Sequence, residues 1–200
     1  MDIAQFFPNI DHEILHGQLR RRFRGDGMAL LDAVIAAHGS EFGKGLPIGA
    51  LTSQHFANHY LSQADRWCLS QPGIDAHCRY MDDFLLWAND RKALQACADG
   101  ISRILDERLG LEIKPVTIRR TDGGILFCGV HIWPFRLRPS QRRRKRYRLA
   151  LAHWQQQWLT GAIDSLELQQ AYAACRAILL PADDMAWRKH CLTRIERVDA

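Results

Sequence analysis

Two adjacent carboxylates lie inside an apolar run at residues 80–87, which read Tyr-Met-Asp-Asp-Phe-Leu-Leu-Trp. Aromatic and apolar residues on both sides of the pair favour strands. Neighbouring negative charges at a hairpin tip are unfavourable unless a cation offsets them. The pattern therefore predicts that Asp82 and Asp83 hold a divalent metal, and carboxylate oxygens without a Cys/His cluster favour Mg²⁺. The alternative is an ordinary turn, where Asp is common.

Four further motifs stand around this pair in a definite order. Residues 2–12 read Asp-Ile-x-x-Phe-Phe-Pro-x-Ile-Asp-His, residues 45–54 read Gly-x-Pro-x-Gly-x-x-x-Ser-Gln, and Gly-Leu-x-Ile and Phe-x-Gly follow at 110–113 and 127–129. Together with Tyr-x-Asp-Asp-Phe, they resemble the palm of a reverse transcriptase of the bacterial retroelement type, shared by group II introns, retrons and diversity-generating retroelements. The resemblance covers roughly residues 2–135, and five motifs in order are far more specific than one.

Periodicity and capping residues predict an α+β fold. The predicted elements are an Asp-Asp hairpin over 77–88, strands over 111–120 and 125–132 joined by a turn at 121–124, and helices over 12–24, 27–38, 51–70, 91–109, 140–160, 164–180 and 182–197. Asp11, Asp26 and Asp90 are predicted helix caps, Gly39 a helix terminator, and Pro139 the start of the helical tail. The resemblance implies a palm over 1–135, a small antiparallel sheet backed by helices, and an all-helical thumb over 136–200. It also implies that the fingers region, and the first palm strand expected to hold Asp2, are absent from this chain.

The resemblance implies a catalytic centre for nucleotidyl transfer. Asp2 would be the third carboxylate beside Asp82 and Asp83, and the backbone carbonyl of Ile3 a further ligand. Such chemistry uses two metal ions, here Mg²⁺ with Mn²⁺ as a substitute. Asp11, also in the first motif, is interpreted as a helix cap rather than a ligand. His55 and His59 have helical spacing but lack the glutamate of a zinc-protease motif, so zinc is not expected.

The resemblance also implies nucleotide-binding residues. Phe7 would exclude a 2′-hydroxyl from the incoming sugar, which makes deoxynucleoside triphosphates the expected substrates; the alternative is a core phenylalanine. Ile48 and Gly49 would lie against the nascent base pair. Most relatives carry Gln where Ile48 stands and Pro where Gln54 stands, and this combination is similar to that of diversity-generating retroelement enzymes. Lys114 is the candidate general acid, although the family places its lysine slightly later.

Contacts to primer and template are expected at three places. The resemblance places Tyr80 and Met81 at the primer terminus and identifies Phe127, Cys128 and Gly129 with the primer-gripping hairpin; the alternative for Phe127 and Cys128 is core filling. Residues 136–148 carry seven Arg and one Lys without an acid, which leaves the rest of the chain at about −3 although the whole is +5. A polyanion is the natural partner of such a segment. Arg142, Arg143, Arg144 and Lys145 are its central candidates, and a solvated helical face is the alternative.

Composition predicts the cellular compartment in which the protein acts. Six scattered cysteines without a C-x-x-C motif indicate reduced, mostly buried thiols in a cytoplasm, and neither a secretory leader nor a membrane span is expected. The expected function is an RNA-directed DNA polymerase with an RNA template, a DNA primer, and an accessory retroelement protein as a further partner. The alternative is a truncated, non-catalytic nucleic-acid-binding remnant of a group II intron or retron enzyme.

Overall fold

A computed structural model describes residues 1–37, 43–182 and 184–196, which divide into two compact units, Met1–Ile118 and Arg119–Ala200. The first unit contains helices α1 (Phe6–Asn9), α2 (His12–Leu19), α3 (Asp26–Ala36), α4 (Leu51–Leu69) and α5 (Arg91–Leu109), and strands β1 (Ala76–Tyr80) and β2 (Asp83–Trp87). The mixture of helices with small antiparallel sheets confirms the α+β class. Among the described residues, no helix combines the length and the apolar character needed to cross a bilayer.

The sheet of the first unit extends beyond the two named strands. Strand β1 pairs with β2 in antiparallel register, and Asp2 forms an antiparallel bridge with Asp83. On its other side, the same N-terminal segment is bridged through Ile3 to Ile113. The order across the sheet is therefore β1, β2, residues 1–4 and residues 112–114. Ile3, Phe84 and the apolar faces of α4 and α5 share one buried core beneath it.

Several predicted elements of the first unit are confirmed. Asp11 caps α2 by accepting hydrogen bonds from the amides of Glu13 and Ile14, and Asp90 caps α5 in the same way. Helix α4 and the Asp-Asp hairpin lie within a residue of their predicted bounds. These elements combine a strong apolar period with a capping or turn residue, so local sequence determines them.

Three predictions in this unit are wrong or need correction. Helix α2 ends at Leu19, not at residue 24, because the arginines that follow offer no apolar side chain to bury and Phe23 stays 45% exposed. Gly25, in a backbone conformation that favours glycine, is the N-cap of α3, and Asp26 is its first residue. The expected strand over 111–120 is reduced to the bridge at Ile113, since Pro115 lacks an amide donor and the residues around it are mostly exposed. The predicted terminator Gly39 lies outside the described residues.

The second unit contains a short 3₁₀ helix (Thr121–Gly123), strands β3 (Ile125–Phe127), β4 (Val130–Trp133) and β5 (Arg136–Pro139), and helices α6 (Gln141–Leu159), α7 (Ser165–Ala177) and α8 (Met185–Glu196). The three strands form an antiparallel sheet in chain order. The chain reverses at Cys128-Gly129, so the predicted strand over 125–132 is two strands and residues 121–124 are not its hairpin turn. Pro139 ends β5, and the helical part begins after Ser140, whose side chain caps α6.

The helical part of this unit has its own core. Tyr147, Leu151, Cys175, Leu179 and Cys191 are its buried members. Helix α7 begins with a capping box in which Asp164 and Glu167 satisfy each other's backbone amides. Four of the six cysteines are buried, while Cys78 is exposed and Cys128 is half-buried, which confirms the expectation that most thiols lie inside.

Candidate active site

The Asp-Asp hairpin has a two-residue turn. Tyr80 pairs with Asp83 across the strands, so Met81 and Asp82 form the turn and Asp83 begins β2. Met81 has φ 53°, in the left-handed region that a non-glycine residue rarely adopts. Phe84 and Leu85 are buried, which anchors β2 in the core directly after the carboxylates. Asp82 and Asp83 are thus held at the tip of a fixed hairpin, half-exposed to solvent.

Asp2 lies opposite this pair although about 80 residues separate them in sequence. The amide of Ile3 donates to the carbonyl of Asp82 at 3.3 Å, and the amide of Phe84 donates to the carbonyl of Met1 at 2.8 Å. The structure therefore brings together all three carboxylates predicted for catalysis. Ile3 supplies the backbone link and buries its side chain, which is 1% exposed.

A second strand-like segment holds Asp2 from the other side. The amide of Lys114 donates to the carbonyl of Asp2 at 2.9 Å, and the amide of Ala4 donates to the carbonyl of Glu112 at 2.8 Å. Although the first palm strand is not expected in this chain, Asp2 is therefore held by backbone hydrogen bonds and isolated bridges on both of its sides. Backbone pairing on two sides restrains this segment more than its position in sequence suggests.

The three carboxylates interact electrostatically. Burial raises the pKa of the Asp83 carboxyl above its ordinary value, and repulsion from Asp2 and then Asp82 raises it further. Lys114 partly offsets this charge, since its Nζ donates to Oδ2 of Asp2 at 2.6 Å. That hydrogen bond raises the pKa of the exposed Lys114 ammonium, which therefore carries its charge beside Asp2. The cluster is arranged to accept positive charge.

The carboxylates of Asp2, Asp82 and Asp83 are suitable ligands for a divalent metal, but their side chains do not surround a metal position in this structure. Among the residues that the structure describes, no three His, Cys, Asp or Glu side chains are placed to enclose a metal ion. The donor set is nevertheless one of hard carboxylate oxygens whose mutual repulsion a cation would relieve. In the arrangement seen, the Lys114 ammonium pairs with Asp2, so a metal would have to replace it there. Asp11, by contrast, is engaged as the cap of α2.

Phe7 and the glycine-rich loop belong to one local structure. The amide of Leu46 donates to the carbonyl of Phe7 at 2.9 Å, and the amide of Gly45 donates to the carbonyl of Ile10 at 2.7 Å. Gly45 has φ 94°, and a Cβ there would lie 3.3 Å from the carbonyl oxygen of Pro8. A larger residue would push the loop away, so glycine is what allows it to dock on the Phe7 segment.

The remaining nucleotide-binding candidates are open to solvent. Ile48 is 82% exposed, so packing does not explain its presence. Gly49 has φ 101°, which favours glycine although a Cβ would meet only open space. Gln54 is exposed in the first turn of α4, while Phe7 is half-buried against Phe6, with 5.4 Å between ring centroids. All four therefore have surface available for a ligand, Phe7 least of all.

The candidate primer-gripping hairpin lies in the second unit. Cys128 and Gly129 form its turn with φ 47° and 75°, the left-handed pair required by a type I′ turn. Nη2 of Arg143 donates to the carbonyl of Cys128 at 3.1 Å. A Cβ on Gly129 would lie 2.7 Å from Nε of the same arginine, so this glycine leaves the space that the guanidinium occupies. Phe127 is half-buried.

The four central cations of the basic segment are not equivalent. Arg143 also donates to the carbonyls of Ile178 and Leu180. Arg144 lies 3.6 Å from a carboxylate oxygen of Asp184 and stacks over Trp187, with 4.9 Å from its Cζ to the ring centroid. Arg142 and Lys145 are exposed. Two of these cations therefore have structural partners within the unit, and two face solvent.

A second cationic surface is absent from the sequence-based predictions. Arg20, Arg21, Arg22 and Arg24 are all exposed after the end of α2, and Phe23 between them is 45% exposed. Such a combination of cations and an aromatic ring is typical of surfaces that bind nucleic-acid backbones and bases. Its signal in the sequence is four arginines within five residues, but these fall inside the predicted helix over 12–24.

The part of the chain that contains this site matches a known protein family. A family model described as "Reverse transcriptase (RNA-dependent DNA polymerase)" matches residues 1–132. The match covers more than half of the chain and includes Asp2, the loop at 45–54, the Asp-Asp hairpin and Lys114. No curated protein matches the chain.

Proposed function

Because the chain belongs to the reverse transcriptase (RNA-dependent DNA polymerase) family, we propose that it extends a DNA primer along an RNA template with deoxynucleoside triphosphates. The observation that carries this proposal is the convergence of Asp2, Asp82 and Asp83 at adjacent positions of one sheet. Structural packing does not require three carboxylates there, since burial and then repulsion from Asp2 and Asp82 raise the pKa of Asp83. A site that recruits cations does require them.

In this proposal the three carboxylates and the carbonyl of Ile3 would hold two Mg²⁺ ions, with Mn²⁺ as a substitute. When bound, such ions activate a hydroxyl nucleophile and neutralise the charge of a triphosphate. The protein's own contribution is to fix the backbone that carries the carboxylates through strand and bridge pairing, so that the rearrangement needed for binding is confined to side chains, with Lys114 leaving Asp2. Lys114, released from Asp2, is the proposed proton donor to the leaving pyrophosphate.

The remaining roles follow the family resemblance. Phe7 is proposed to select against ribonucleotides, and Ile48, Gly49 and Gln54 to contact the nascent pair. Ile48 has no hydrogen-bonding group with which to examine that pair, which supports assignment to the diversity-generating retroelement type. Tyr80, Met81 and the turn at 127–129 are proposed primer contacts. Residues 1–135 would then act as the palm and 136–200 as the thumb.

Exposed cations would bind the nucleic-acid backbone without reading its sequence. Arg142 and Lys145 on α6 are the members of the basic segment best placed for this role, since Arg143 and Arg144 have intramolecular partners. The arginines that follow α2 supply a second such surface.

Primer extension with Asp83→Asn tests the proposal. This substitution keeps the size of the side chain and removes its charge, so we expect at least a thousandfold reduction of extension, equivalent to about 4 kcal/mol. Asp99→Asn is the matched control, because Asp99 is an exposed carboxylate on α5 that contacts Gln95. Extension by Asp83→Asn at the wild-type rate would refute the assignment. A wild-type chain that binds template–primer tightly but extends it with neither Mg²⁺ nor Mn²⁺ would instead support the non-catalytic alternative.

A further inference from the structure

The Asp-Asp hairpin itself carries a nearly buried arginine close to its turn. Arg79, on β1, has a side chain that is only 9% exposed. Its Nε and Nη2 donate to the two carboxylate oxygens of Asp65 at 2.7 and 2.6 Å, which is the paired geometry of a strong guanidinium–carboxylate contact. Its Cζ lies 5.8 Å from the centroid of the Phe84 ring. The guanidinium is therefore fixed in position and orientation.

The remaining nitrogen of this guanidinium reaches the catalytic turn. Nη1 donates to the carbonyl of Met81 at 2.8 Å and to Oδ1 of Asn58 at 2.9 Å. Met81 is the residue at positive φ, and its carbonyl belongs to the peptide group that joins it to Asp82. Fixing that carbonyl fixes the orientation of the peptide from which the Asp82 side chain starts.

The same turn is held from its other side by the strand that carries Asp2. The carbonyl of Asp82 accepts the amide hydrogen of Ile3 at 3.3 Å. The two successive carbonyls of the turn thus have different partners, one in the side chain of Arg79 and one in the backbone beside Asp2. Without the hydrogen bond from Arg79, the turn could shift relative to Asp2 even with the β1–β2 pairing intact.

Asp65 and Asn58 both lie on α4, and this connects the hairpin to a second part of the site. Helix α4 begins at Leu51, directly after the loop that carries Ile48 and Gly49. Arg79 therefore connects the Met81–Asp82 turn to the helix that continues from the candidate nucleotide loop. An arginine suits this task because its planar fork pairs with a carboxylate through two parallel hydrogen bonds while a third nitrogen holds a carbonyl in fixed geometry, whereas a lysine offers one flexible ammonium.

We propose that Arg79 is a positioning residue of the active site: anchored by Asp65 on α4, it holds the Met81–Asp82 turn in place so that Asp82 and Asp83 stay opposite Asp2. The proposal rests on the proposed function for its catalytic consequence. Its structural part, the restraint of the turn, can be tested without any activity.

The test compares Arg79→Lys with Arg66→Lys in the full chain. Arg66 is the matched control, because it is an exposed arginine next to Asp65 on α4 and donates to Ser62 within the same helix. The first readout is amide hydrogen exchange measured by NMR at two residues. The amide of Ile3 monitors its hydrogen bond to the carbonyl of Asp82, and the amide of Gly110 monitors its hydrogen bond to Asp106 at the end of α5. In Arg79→Lys we expect exchange at Ile3 to accelerate about tenfold with Gly110 unchanged, since one charge-assisted hydrogen bond is removed. Arg66→Lys should change neither.

The second readout is primer extension as a function of Mg²⁺ concentration. Arg79→Lys should lower the maximal rate and raise the half-saturating Mg²⁺ concentration, each by roughly tenfold, because a displaced turn binds the metal less well. Asp65→Asn, which leaves Arg79 without its charged anchor, should change both quantities in the same direction. A uniform decrease of activity through unfolding would leave the half-saturating concentration unchanged, which separates positioning from mere stability.

The possible outcomes are distinct. Wild-type exchange at Ile3 in Arg79→Lys, or equal acceleration at Ile3 and Gly110, overturns the proposal. Accelerated exchange at Ile3 with unchanged Mg²⁺ dependence also overturns it, since the turn would then move without consequence for the site. If the wild-type chain extends no primer, the proposed function fails, and exchange at Ile3 still decides whether Arg79 restrains the turn.

Discussion

Tyr60 joins three segments of the first unit through one hydroxyl group. Its side chain is fully buried, its Oη donates to the carbonyl of Leu109 at 2.7 Å, and it accepts the amide hydrogen of Asp11 at 3.3 Å. Tyr60→Phe removes the oxygen and leaves both backbone groups unpaired beside a buried ring. We expect the free energy of unfolding to fall by about 1–3 kcal/mol, the cost of leaving buried polar groups unsatisfied.

The same hydroxyl predicts a pH dependence. Burial raises the pKa of Tyr60 from its ordinary value of 10 to about 12. Below pH 10 the hydroxyl is protonated in both states, and its stabilising contribution is fully present. Between pH 10 and 12 the unfolded chain releases the proton while the folded chain keeps it, so stability falls as pH rises. From pH 9 to 11 this group alone should lower the free energy of unfolding by about 1.3 kcal/mol.

Urea denaturation followed by circular dichroism measures both effects. The difference between wild type and Tyr60→Phe should be largest near neutral pH and should shrink between pH 9 and 11, since phenylalanine does not titrate. Tyr80→Phe is the control, because Tyr80 is 61% exposed and its substitution should change stability by less than about 0.5 kcal/mol. A Tyr60→Phe protein as stable as wild type, or a difference that does not vary with pH, would refute the reasoning.

Three further predictions concern substrates. Phe7→Val should raise ribonucleotide incorporation roughly tenfold in single-nucleotide extension, since a smaller side chain leaves room for a 2′-hydroxyl; unchanged sugar selection would make Phe7 a packing residue. Ile48→Gln should lower misincorporation opposite template adenine roughly fivefold, because glutamine supplies a hydrogen bond. Protein stability should not change, since Ile48 is 82% exposed. If sequencing of the products shows equal error at adenine for both proteins, the main support for the diversity-generating type is removed. Replacing Arg142 and Lys145 with Gln should reduce the slope of log affinity against log salt concentration by roughly 0.9 for each phosphate that is no longer neutralised. Arg143→Gln should instead destabilise the second unit. An unaltered slope in the double variant would show that Arg142 and Lys145 do not bind phosphate.

Local sequence is sufficient where an element carries both a strong period and an end signal. Helices α4 and α5, the caps at Asp11 and Asp90, and the Asp-Asp hairpin are of this kind. The segment at 111–120 shows why such patterns fail elsewhere. Its residues favour a strand, but Pro115 interrupts the hydrogen-bonding pattern, and only a bridge to Ile3 remains.

The sequence predicts which residues form the candidate site, but it does not predict the contacts that hold them in place. The motif order predicts which carboxylates would act together. Their convergence, however, depends on a bridge between segments about 80 residues apart, which no local pattern specifies. Arg79 gives no signal as a single charged residue in a short strand, and its role becomes visible only when Asp65 and Met81 are seen around it. Arg143 and Arg144 mislead in the opposite way, since a run of cations does not reveal which members are engaged within the fold.

The turns at Met81 and Cys128 are restrained in the same way, and sequence periodicity does not reveal this. Met81 and Cys128 are both non-glycine residues at positive φ, each a conformation that costs about 1 kcal/mol or more and persists only where the surroundings restrain it. In both turns the carbonyl of that residue accepts a hydrogen bond from an arginine that is fixed elsewhere. Arg79 is anchored to α4 through Asp65, and Arg143 lies on α6 and also binds the carbonyl of Ile178 at 3.3 Å. A turn restrained in this way keeps its backbone in one orientation without a ligand, which is what the proposed polymerase would need at turns that we propose meet a metal or a primer end.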